Sequence, residues 1–120
     1  MARLFRRGAG LCALVDGRPV GYVVFQTEGP VREVYLVEVC PDMRRQGLGR
    51  RLLEAAETYL LSTGAQCLTV DCTSPEGEAL ARGSGFTGPE SQHGPGVPYT
   101  HTPLKKFLTD WRPPARDPWA

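Results

Sequence analysis

Apolar residues near the start of the chain come in runs that are separated by turn residues. Residues 11–15 read LCALV and residues 20–27 read VGYVVFQT, with an Asp-Gly pair at residues 16–17 between them. Asp-Gly is a strong signal for a tight hairpin. A third run, residues 31–40, is rich in β-branched and aromatic residues. The pattern therefore predicts three antiparallel strands joined by short turns.

Alternation along the third strand divides its side chains between two faces, since successive strand residues point to opposite sides. A regular strand places Glu33 and Tyr35 on one face and Glu38 on the other. The odd-numbered set is Val31, Glu33, Tyr35, Val37 and Val39, and the even-numbered set is Arg32, Val34, Leu36, Glu38 and Cys40.

After the third strand, apolar residues recur at helical spacing with charged residues between them. This pattern predicts an amphipathic helix that begins near Leu48 and ends near Gly64, a favourable C-cap residue. The apolar run at residues 66–72 is predicted to be a strand parallel to the third one, because a helix joins the two. Ser74 or Thr73 is expected to cap a short second helix.

The last third of the chain is irregular by composition. Residues 87–96 predict a loop, and residues 97–108 predict a late strand interrupted by Pro103. Residues 109–120 are rich in proline and predict an extended or disordered tail unless the two tryptophans dock. We therefore expect one domain, residues 1–108, with an α/β (α+β) fold and a mixed, mostly antiparallel sheet.

Composition narrows the classes of partner. A chain of 120 residues with 22% charged residues suits one globular domain. Its net charge of +1 gives no overall attraction to polyanions, so no nucleic acid or membrane partner is expected. The four cysteines form no CxxC pair and only two histidines accompany them, so no metal site is expected. We expect reduced thiols in a cytoplasmic protein, since the N-terminal apolar run ends at Asp16 without a signal-peptide cleavage site.

An arginine-rich stretch with two glycines, RRQGLGRR at residues 44–51, joins the third strand to the first helix. Glycine adopts backbone angles that let neighbouring N–H groups point at one spot. The first N–H groups of a helix lack partners within the helix, and the helix dipole favours an anion there. The arrangement predicts a phosphate-binding loop. A lone glycine motif of this kind fits a solvated turn better, so other motifs must decide.

Several motifs occur in a defined order along the chain. The stretch Arg44-Arg45-Gln46-Gly47-Leu48-Gly49 fits the pattern [QR]-x-x-G-x-[GA] and follows the V-x-P sequence Val39-Cys40-Pro41. Leu80 and the pair Gly85-Phe86 close the second predicted helix. This order of motifs and elements over residues 11–108 resembles the GNAT superfamily of acyl-CoA-dependent N-acyltransferases.

The resemblance implies that the loop binds the pyrophosphate of coenzyme A, with acetyl-CoA as co-substrate. Side chains of Arg44 and Arg50 would add charge-assisted contacts. It also implies a splay between the third strand and the strand at residues 66–72, where backbone groups of Val37 and Val39 pair with the pantetheine arm. The backbone amides expected around the phosphates belong to Arg45, Gln46, Gly47, Leu48, Gly49 and Arg50.

Acetyl transfer from a thioester requires a neutral amine, so a base must take or relay a proton. In the superfamily this base is often a third-strand side chain that faces the acceptor, and those positions fall on Glu33 and Tyr35. We interpret Glu33 as the base, acting directly or through water, and Tyr35 as a residue that shapes the acceptor site. A solvent-facing carboxylate on a half-exposed strand is an equally good interpretation of Glu33.

The chain departs from the superfamily at two positions near the reacting sulfur. Ala81 stands where many members have a tyrosine, and Ser74, expected at the coenzyme site, stands where an asparagine often opens the second helix. A thiol with a pKa of about 8.5 needs little help to leave as thiolate. Substitutes for the missing acid are Tyr99, His101, Ser84 and Cys72.

A further departure lies at the N terminus. Only about ten residues precede the first predicted strand, whereas the superfamily usually has one or two helices between its first two strands. The acceptor side is therefore expected to be open. A large acceptor such as a protein amine, a second subunit or the C-terminal tail would close it, and exposed sheet edges favour a homodimer.

Three functions are consistent with these patterns. The first is an N-acetyltransferase that moves an acetyl group directly from acetyl-CoA to a primary amine of a small molecule or a protein. The alternative is an acyl-CoA-binding or interaction module with little turnover, which Ala81 and the missing helices suggest. A P-loop nucleotide binder is disfavoured because the loop lacks the G-x-x-x-x-G-K-[ST] pattern.

Overall fold

The computed structural model describes residues 2–114, and within them the chain forms six strands and two α-helices. The helices are α1 (Leu48–Ser62) and α2 (Pro75–Gly83). The strands are β1 (Arg3–Arg6), β2 (Gly10–Val15), β3 (Arg18–Phe25), β4 (Val31–Val39), β5 (Cys67–Cys72) and β6 (Thr102–Phe107).

The strand order in the sheet follows the chain from β1 to β6. Every neighbouring pair is antiparallel except β4 and β5, which are parallel and joined through α1. This confirms the predicted fold class, a mixed α/β fold with a mostly antiparallel sheet.

The turn between β2 and β3 has the conformation that its sequence predicts. Asp16 and Gly17 both have positive φ, 49° and 79°, as a two-residue hairpin turn requires. The hydrophobic pattern does not predict β1, because four residues, RLFR, are too few to establish an alternation. The strand forms because β2 offers it a partner, with Phe5 opposite Cys12.

Helix α1 covers one face of the sheet. Its buried residues recur every three or four positions and lie over β2, β3 and β4. The helix ends at Ser62, and Gly64 follows with φ of 106°, a conformation that glycine adopts without strain. The predicted helix end is therefore confirmed. The buried residues of α1 are Leu48, Leu52, Leu53, Ala56 and Leu60.

An irregularity in β4 changes which of its side chains share a face. Val24 of β3 lies opposite Leu36, but Phe25 lies opposite Val34. Tyr35 is therefore an extra residue on β4. A bulge of this kind shifts the alternation of side chains by one residue.

The prediction that Glu33 and Tyr35 share a face with Val37 and Val39 is therefore wrong. Beyond the bulge, Val37 and Val39 pack against the core under the helices. Glu38, predicted to lie on the opposite face, is exposed on the same face as Glu33 and Tyr35. The strand is apolar on both sides of Tyr35, so no change of pattern marks the bulge.

Both helices lie on one face of the sheet, and in the described part of the chain no helix covers the other. A single core cluster joins residues of α1, α2 and the sheet. The shortest dimension of the molecule is 20 Å, as expected for one sheet and one layer of helices. We call the uncovered side of the sheet the open face.

The late strand is shorter than predicted. Strand β6 begins at Thr102, five residues later than the sequence pattern indicates, and Pro103 lies within it. Proline is tolerated there because β6 is an edge strand. Beyond β6, the guanidinium carbon of Arg112 lies 4.1 Å from the ring centre of Phe107. Of the predicted tail at residues 109–120, residues 109–114 form neither helix nor strand, and residues 115–120 lie outside the described residues.

Candidate active site

Strands β4 and β5 separate part-way along their length. They pair from Val31 with Cys67 to Val34 with Val70, and within residues 2–114 no pair follows although both strands continue. The separation begins at the bulge in β4. It is the splay that the resemblance implies.

The main-chain groups of β4 beyond the bulge alternate between β3 and the splay. The Cys40 amide donates to the Val20 carbonyl at 2.8 Å, so it points to β3. Because the groups of successive strand residues point to opposite sides, those of Val37 and Val39 point into the splay. The Val39 carbonyl accepts a long hydrogen bond from Arg44 Nε, 3.3 Å. An extended ligand can pair with these groups as an added strand would.

A cavity of about 150 Å³ occupies the splay. Two carboxylates, Glu38 and Asp71, and the Tyr35 ring border it. A second groove continues past Val39 and Arg44 toward the glycine loop. The helix side of the cavity consists mostly of small or apolar residues, namely Leu53, Ser74, Gly77, Leu80, Ala81 and Phe86.

The loop between β4 and α1 has a backbone suited to an anion. Arg45 and Gly47 have positive φ, 63° and 77°, so successive amides change direction here. The Arg51 amide donates to the Gly47 carbonyl at 3.0 Å, which leaves the amides of Leu48 and Gly49 without acceptors in the helix. In the described residues no side chain caps this helix end. The free amides and the helix dipole together favour a phosphate.

The polar side chains of the loop are held in different places. Arg50 donates to the Gly83 carbonyl at 2.9 Å and to the Glu54 carboxylate at 3.2 Å, so its guanidinium lies against the end of α2. Gln46 donates to the Asp42 carbonyl at 3.4 Å. Arg44 borders the groove that leads into the splay. Of the two arginine side chains predicted to contact phosphate, only Arg44 borders this groove.

The two glycines of the loop have different structural roles. Gly47 has positive φ and no atom within 4 Å of the position its Cβ would take, so glycine is favoured there by backbone conformation alone. A Cβ on Gly49 would lie 3.4 Å from Leu80 Cδ2 and 3.6 Å from Val39 Cγ2. These are ordinary contact distances. Gly49 therefore presents its Cα to the protein interior, where β4 and α2 meet.

Helix α2 places two residues beside the splay. Ser74 Oγ accepts a hydrogen bond from the Gly77 amide at 3.0 Å and caps the helix, which confirms the predicted serine cap. The same residue borders the cavity. Ala81 also lines the cavity and is 3% exposed. Its methyl group cannot donate a proton to a leaving thiolate.

The two predicted catalytic residues occupy neighbouring spaces. Tyr35 lines the splay cavity and is 52% exposed. Glu33 lines a separate groove on the open face, together with Asp71 and Lys105. Because Asp71 borders both spaces, it connects the two candidates.

The sequence pattern does not identify Glu38 and Asp71, the two carboxylates that line the cavity beside Tyr35. Regular alternation assigns Glu38 to the helix side, and only the bulge moves it. The alternation along β5 could have identified Asp71. It lies three residues after the buried Leu68, so its side chain is on the opposite, exposed face of the strand. The parallel pairing with β4 then places it at the splay.

Tyr99, one substitute for the missing acid, is held at α2. Its hydroxyl donates to Glu78 Oε1 at 2.8 Å, and burial together with this carboxylate raises the pKa of Tyr99. Hydrogen bonds from Ser91, Arg82 and Tyr99 lower the pKa of Glu78 to about 2. Glu78 is therefore ionised at neutral pH and accepts the hydrogen bond that holds the Tyr99 hydroxyl. Neither residue borders the splay cavity.

Among the other substitutes, only Cys72 lines the cavity. It is 4% exposed, and burial, with help from Glu78 and Asp71, raises the pKa of its thiol, so the sulfur keeps its proton at neutral pH. His101 is exposed, and its Nδ1 lies 2.6 Å from Asp71 Oδ2. Ser84 is buried away from the cavity, and its hydroxyl has no hydrogen-bond partner among the described residues.

Three further properties bear on the chemistry of the site. Within residues 2–114, no group of three or more His, Cys, Asp or Glu side chains is arranged to hold a metal ion. None of the helices in this range has the length and hydropathy needed to cross a bilayer. All four cysteines lie in the same range as free thiols.

The fold is similar to that of solved acetyltransferase structures. YncA from Salmonella typhimurium, in a structure with its cofactor acetyl-CoA, has a TM-score of 0.72 and 21% identity over 88% of this chain and 68% of its own. The ribosomal-protein-S18-alanine N-acetyltransferase from Escherichia coli has a TM-score of 0.72 and 18% identity, covering 90% and 74%. A polyamine N-acetyltransferase from Drosophila melanogaster has a TM-score of 0.73 and 18% identity, covering 84% and 75%. At these identities the similarity establishes the fold.

The family is established by the sequence itself. The family described as acetyltransferase (GNAT) matches residues 2–86. This range runs from β1 to the Gly-Phe pair after α2 and so includes the splay, the glycine loop and both helices. By this match the chain belongs to the GNAT acetyltransferase family.

Proposed function

We propose that this protein is an N-acetyltransferase that transfers an acetyl group from acetyl-CoA to a primary amine. The observation that carries the proposal is the continuity of the loop amides, the groove beside Arg44 and the splay between β4 and β5. A diphosphate on the loop directs an extended thioester arm into the splay. The acetyl-CoA in the YncA structure supports this donor.

In this proposal the main chain supplies most of the contacts with coenzyme A. The amides from Arg45 to Arg50 surround the diphosphate at the start of α1. Arg44 adds a charge-assisted contact at the groove, whereas Arg50 contributes its amide while its guanidinium stays on Gly83. Val37 and Val39 pair with the pantetheine arm. Ser74 borders the groove and holds the start of α2 in place.

The reaction is a direct transfer. The amine nitrogen, once neutral, attacks the thioester carbonyl, forms the C–N bond and expels the thiolate as the C–S bond breaks. Glu33 takes the amine proton through water, because it lines the groove next to the splay cavity and does not border the cavity itself. The thiolate then takes a proton from solvent, because the Cys72 thiol that lines the cavity has a raised pKa and keeps its own proton.

The acceptor approaches from the open face. Glu33, Glu38 and Asp71 all lie at this end of the splay. Primary amines are cations before they lose a proton, so the carboxylates attract the acceptor and stabilise its bound form. The acceptor is either a small amine or the amine of a protein.

A combined binding and turnover experiment tests the proposal. Calorimetry with coenzyme A is expected to show binding that Arg44→Ala weakens, because one phosphate contact is lost. Free thiol released from acetyl-CoA in the presence of a panel of amines measures turnover. Arg18→Ala is a matched control, since Arg18 is an exposed arginine paired with Asp42 outside the cavity. Absence of coenzyme binding in the wild-type protein would refute the proposal.

A second candidate function is an acyl-CoA-binding module with little turnover. The observation that favours it is Ala81, which gives the cavity a methyl group at the position of the tyrosine found in many family members. The same experiment separates the two functions. Coenzyme binding without amine-dependent thiol release would favour the binding module.

The location that fits this proposal is the cytoplasm, where acetyl-CoA is available to the loop and thiols remain reduced. All four cysteines are free, and Cys12 and Cys40 are only partly buried. In this proposal residues 1–108 form the acyltransferase domain and residues 109–120 form a tail.

A further inference from the structure

The chain contains very few lysines. Of its 14 lysine and arginine residues, two are lysines, Lys105 and Lys106, and both lie in β6. Successive residues of a strand point to opposite faces, so the two amines lie on opposite sides of the sheet. Lys105 is on the open face and Lys106 is on the helical side.

The Lys106 amine is held by contacts with the helical layer. Its Nζ donates to Glu57 Oε2 and to the Ser84 carbonyl, each at 2.8 Å, and its side chain is 26% exposed. This amine would have to give up an ion pair before it could act as a nucleophile. Lys106 therefore has a structural role, joining β6 to α1 and to the end of α2.

Lys105 belongs to the row of the open face that contains Glu33. Glu33 lies opposite Thr69 in the pairing of β4 with β5, and Thr69 lies opposite Lys105 in the pairing of β5 with β6. Residues directly opposite each other share a face, and these three line one groove. The proposed base and a lysine amine are therefore in the same groove.

Asp71 connects this groove with the splay cavity. It follows Thr69 by two residues, so it is the diagonal neighbour of Lys105 across β5 and β6. Diagonal neighbours lie about 7–8 Å apart, which is within reach of a long side chain. Asp71 also borders the splay cavity. A Lys105 ammonium that turns toward the Asp71 carboxylate therefore reaches the edge of this cavity.

The contacts of Lys105 permit this movement. The residue is exposed, and its Nζ lies 5.7 Å from the ring centre of Phe107. The guanidinium carbon of Arg112 lies closer to the same ring, at 4.1 Å. A cation–π contact contributes little at an exposed site. The Lys105 amine can therefore leave the ring at small cost, unlike the ion-paired amine of Lys106.

We propose that this protein acetylates its own Lys105. The inference rests on the proposed function, since acetyl-CoA in the splay supplies the acetyl group. The neutral Nζ attacks the thioester carbonyl, the C–N bond forms, and the C–S bond breaks to release the coenzyme thiolate, which takes a proton from solvent. The proton that leaves the lysine passes through water to Glu33 in the same groove. Acetylation removes a positive charge from the groove that Glu33 and Asp71 line.

Mass spectrometry of the protein after incubation with acetyl-CoA tests the proposal. The wild-type chain is expected to gain an acetyl group that peptide mapping places on Lys105. Lys105→Arg keeps the charge and, because the residue is exposed, also the fold; it is expected to lose this modification. Lys106→Arg is the matched control and is expected to be acetylated on Lys105 as fast as the wild type.

Three measurements separate acetylation at the splay from chemical acetylation of an exposed lysine. Glu33→Gln is expected to slow the modification by about 10²-fold, because the base is lost. Excess free coenzyme A is expected to slow it, because it occupies the loop and the splay. The fraction modified per minute is expected to be equal at low and high protein concentration, since the reaction is intramolecular.

Four results would overturn the proposal. They are a wild-type protein without acetyl-Lys105, a rate in Glu33→Gln equal to that of the wild type, a rate that excess coenzyme A leaves unchanged, and a rate per molecule that rises with protein concentration. The last would assign the modification to a reaction between two molecules.

Calorimetry and thiol release on the same wild-type sample separate this inference from the proposed function. Coenzyme binding and amine-dependent thiol release without acetyl-Lys105 would refute self-acetylation and leave the proposed function intact. If the wild-type protein binds no coenzyme A, the proposed function fails and self-acetylation fails with it.

Discussion

Tyr35 determines which side chains of β4 lie on the open face beside the splay. As the extra residue of the bulge, it places Glu38 on the open face and turns Val37 toward the core. The same bulge lies where β4 and β5 stop pairing. The inserted residue thus lies where the splay begins and places a carboxylate on its open face.

Glu33→Gln removes the proposed base and keeps the size of the side chain. General base catalysis contributes about 10²-fold or more, so we expect kcat/KM to fall by roughly this factor. The coenzyme Kd should be unchanged, since Glu33 lies on the open face away from the loop. Thiol release and calorimetry measure the two quantities separately.

Glu38→Gln is the matched control for the base, because Glu38 is on the same strand and face. We expect a smaller loss of rate from this variant. A larger loss would assign the base to Glu38 instead. Equal losses of rate and coenzyme affinity in Glu33→Gln would give Glu33 a structural role.

Gly47→Ala tests the glycine loop at the level of a single φ angle. With φ of 77°, a Cβ at this position costs about 1–2 kcal/mol or displaces the amides that surround the phosphate. Coenzyme affinity is therefore expected to fall about tenfold, measured by calorimetry. Gly49→Ala is the control, since its Cβ would make ordinary contacts with Leu80, and a smaller loss is expected. Equal losses would contradict the distinction between the two glycines.

At the scale of elements, α2 shows how a weak helical sequence is stabilised by its ends. The helix contains Gly77 and Gly83, which disfavour helix formation. Ser74 caps its first turn, and Arg82 near its end pairs with Glu78 four residues earlier at 2.8 Å. These contacts hold the helix beside the splay, where Ala81 faces the cavity.

The pH dependence of stability reports on Glu78. Hydrogen bonds from Ser91, Arg82 and Tyr99 lower the pKa of Glu78 from 4.5 to about 2 in the folded protein. The unfolded chain therefore binds this proton more readily, so the contribution of Glu78 to stability is complete above pH 4.5 and is lost as the pH falls toward 2.

In Glu78→Gln we expect the free energy of unfolding to vary less over this pH range than in the wild type. Urea unfolding at a series of pH values measures the difference. Glu76→Gln is the control, since Glu76 is an exposed residue of the same first turn. If both variants retain the wild-type pH dependence, Glu78 is not the group responsible.

The elements that the sequence predicts correctly are those with a strong local signal. The hairpin at Asp16 and Gly17 has a backbone preference of its own, and α1 has a long amphipathic repeat that ends at Gly64. Strand β1 and the bulge at Tyr35 have no such signal, because pairing with a neighbouring strand produces them. The loop at Gly47 could be found from its motif, whereas Asp71 and Glu38 reach the site only through the splay.

At the scale of the whole molecule, the splay connects the two sides of a single sheet. The glycine loop and both helices lie toward one side, and the carboxylates lie on the open face. In the proposed reaction, donor and acceptor therefore approach the reacting centre from opposite sides. If coenzyme A binds as proposed, its pantetheine arm completes the sheet at the gap between β4 and β5, and the folded state then depends on the ligand there.

This dependence predicts strong thermal stabilisation by coenzyme A. A ligand at 100 times its Kd stabilises the folded state by about 2.7 kcal/mol, which for a domain of this size raises the Tm by roughly 10 °C. Pantetheine is the control ligand, since it reaches the splay but lacks the diphosphate for the amides of Gly47 and Leu48, and it should raise the Tm much less. Thermal unfolding followed by fluorescence measures both. Equal shifts from the two ligands would place the affinity in the splay alone, and no shift with coenzyme A would remove the loop from the binding site.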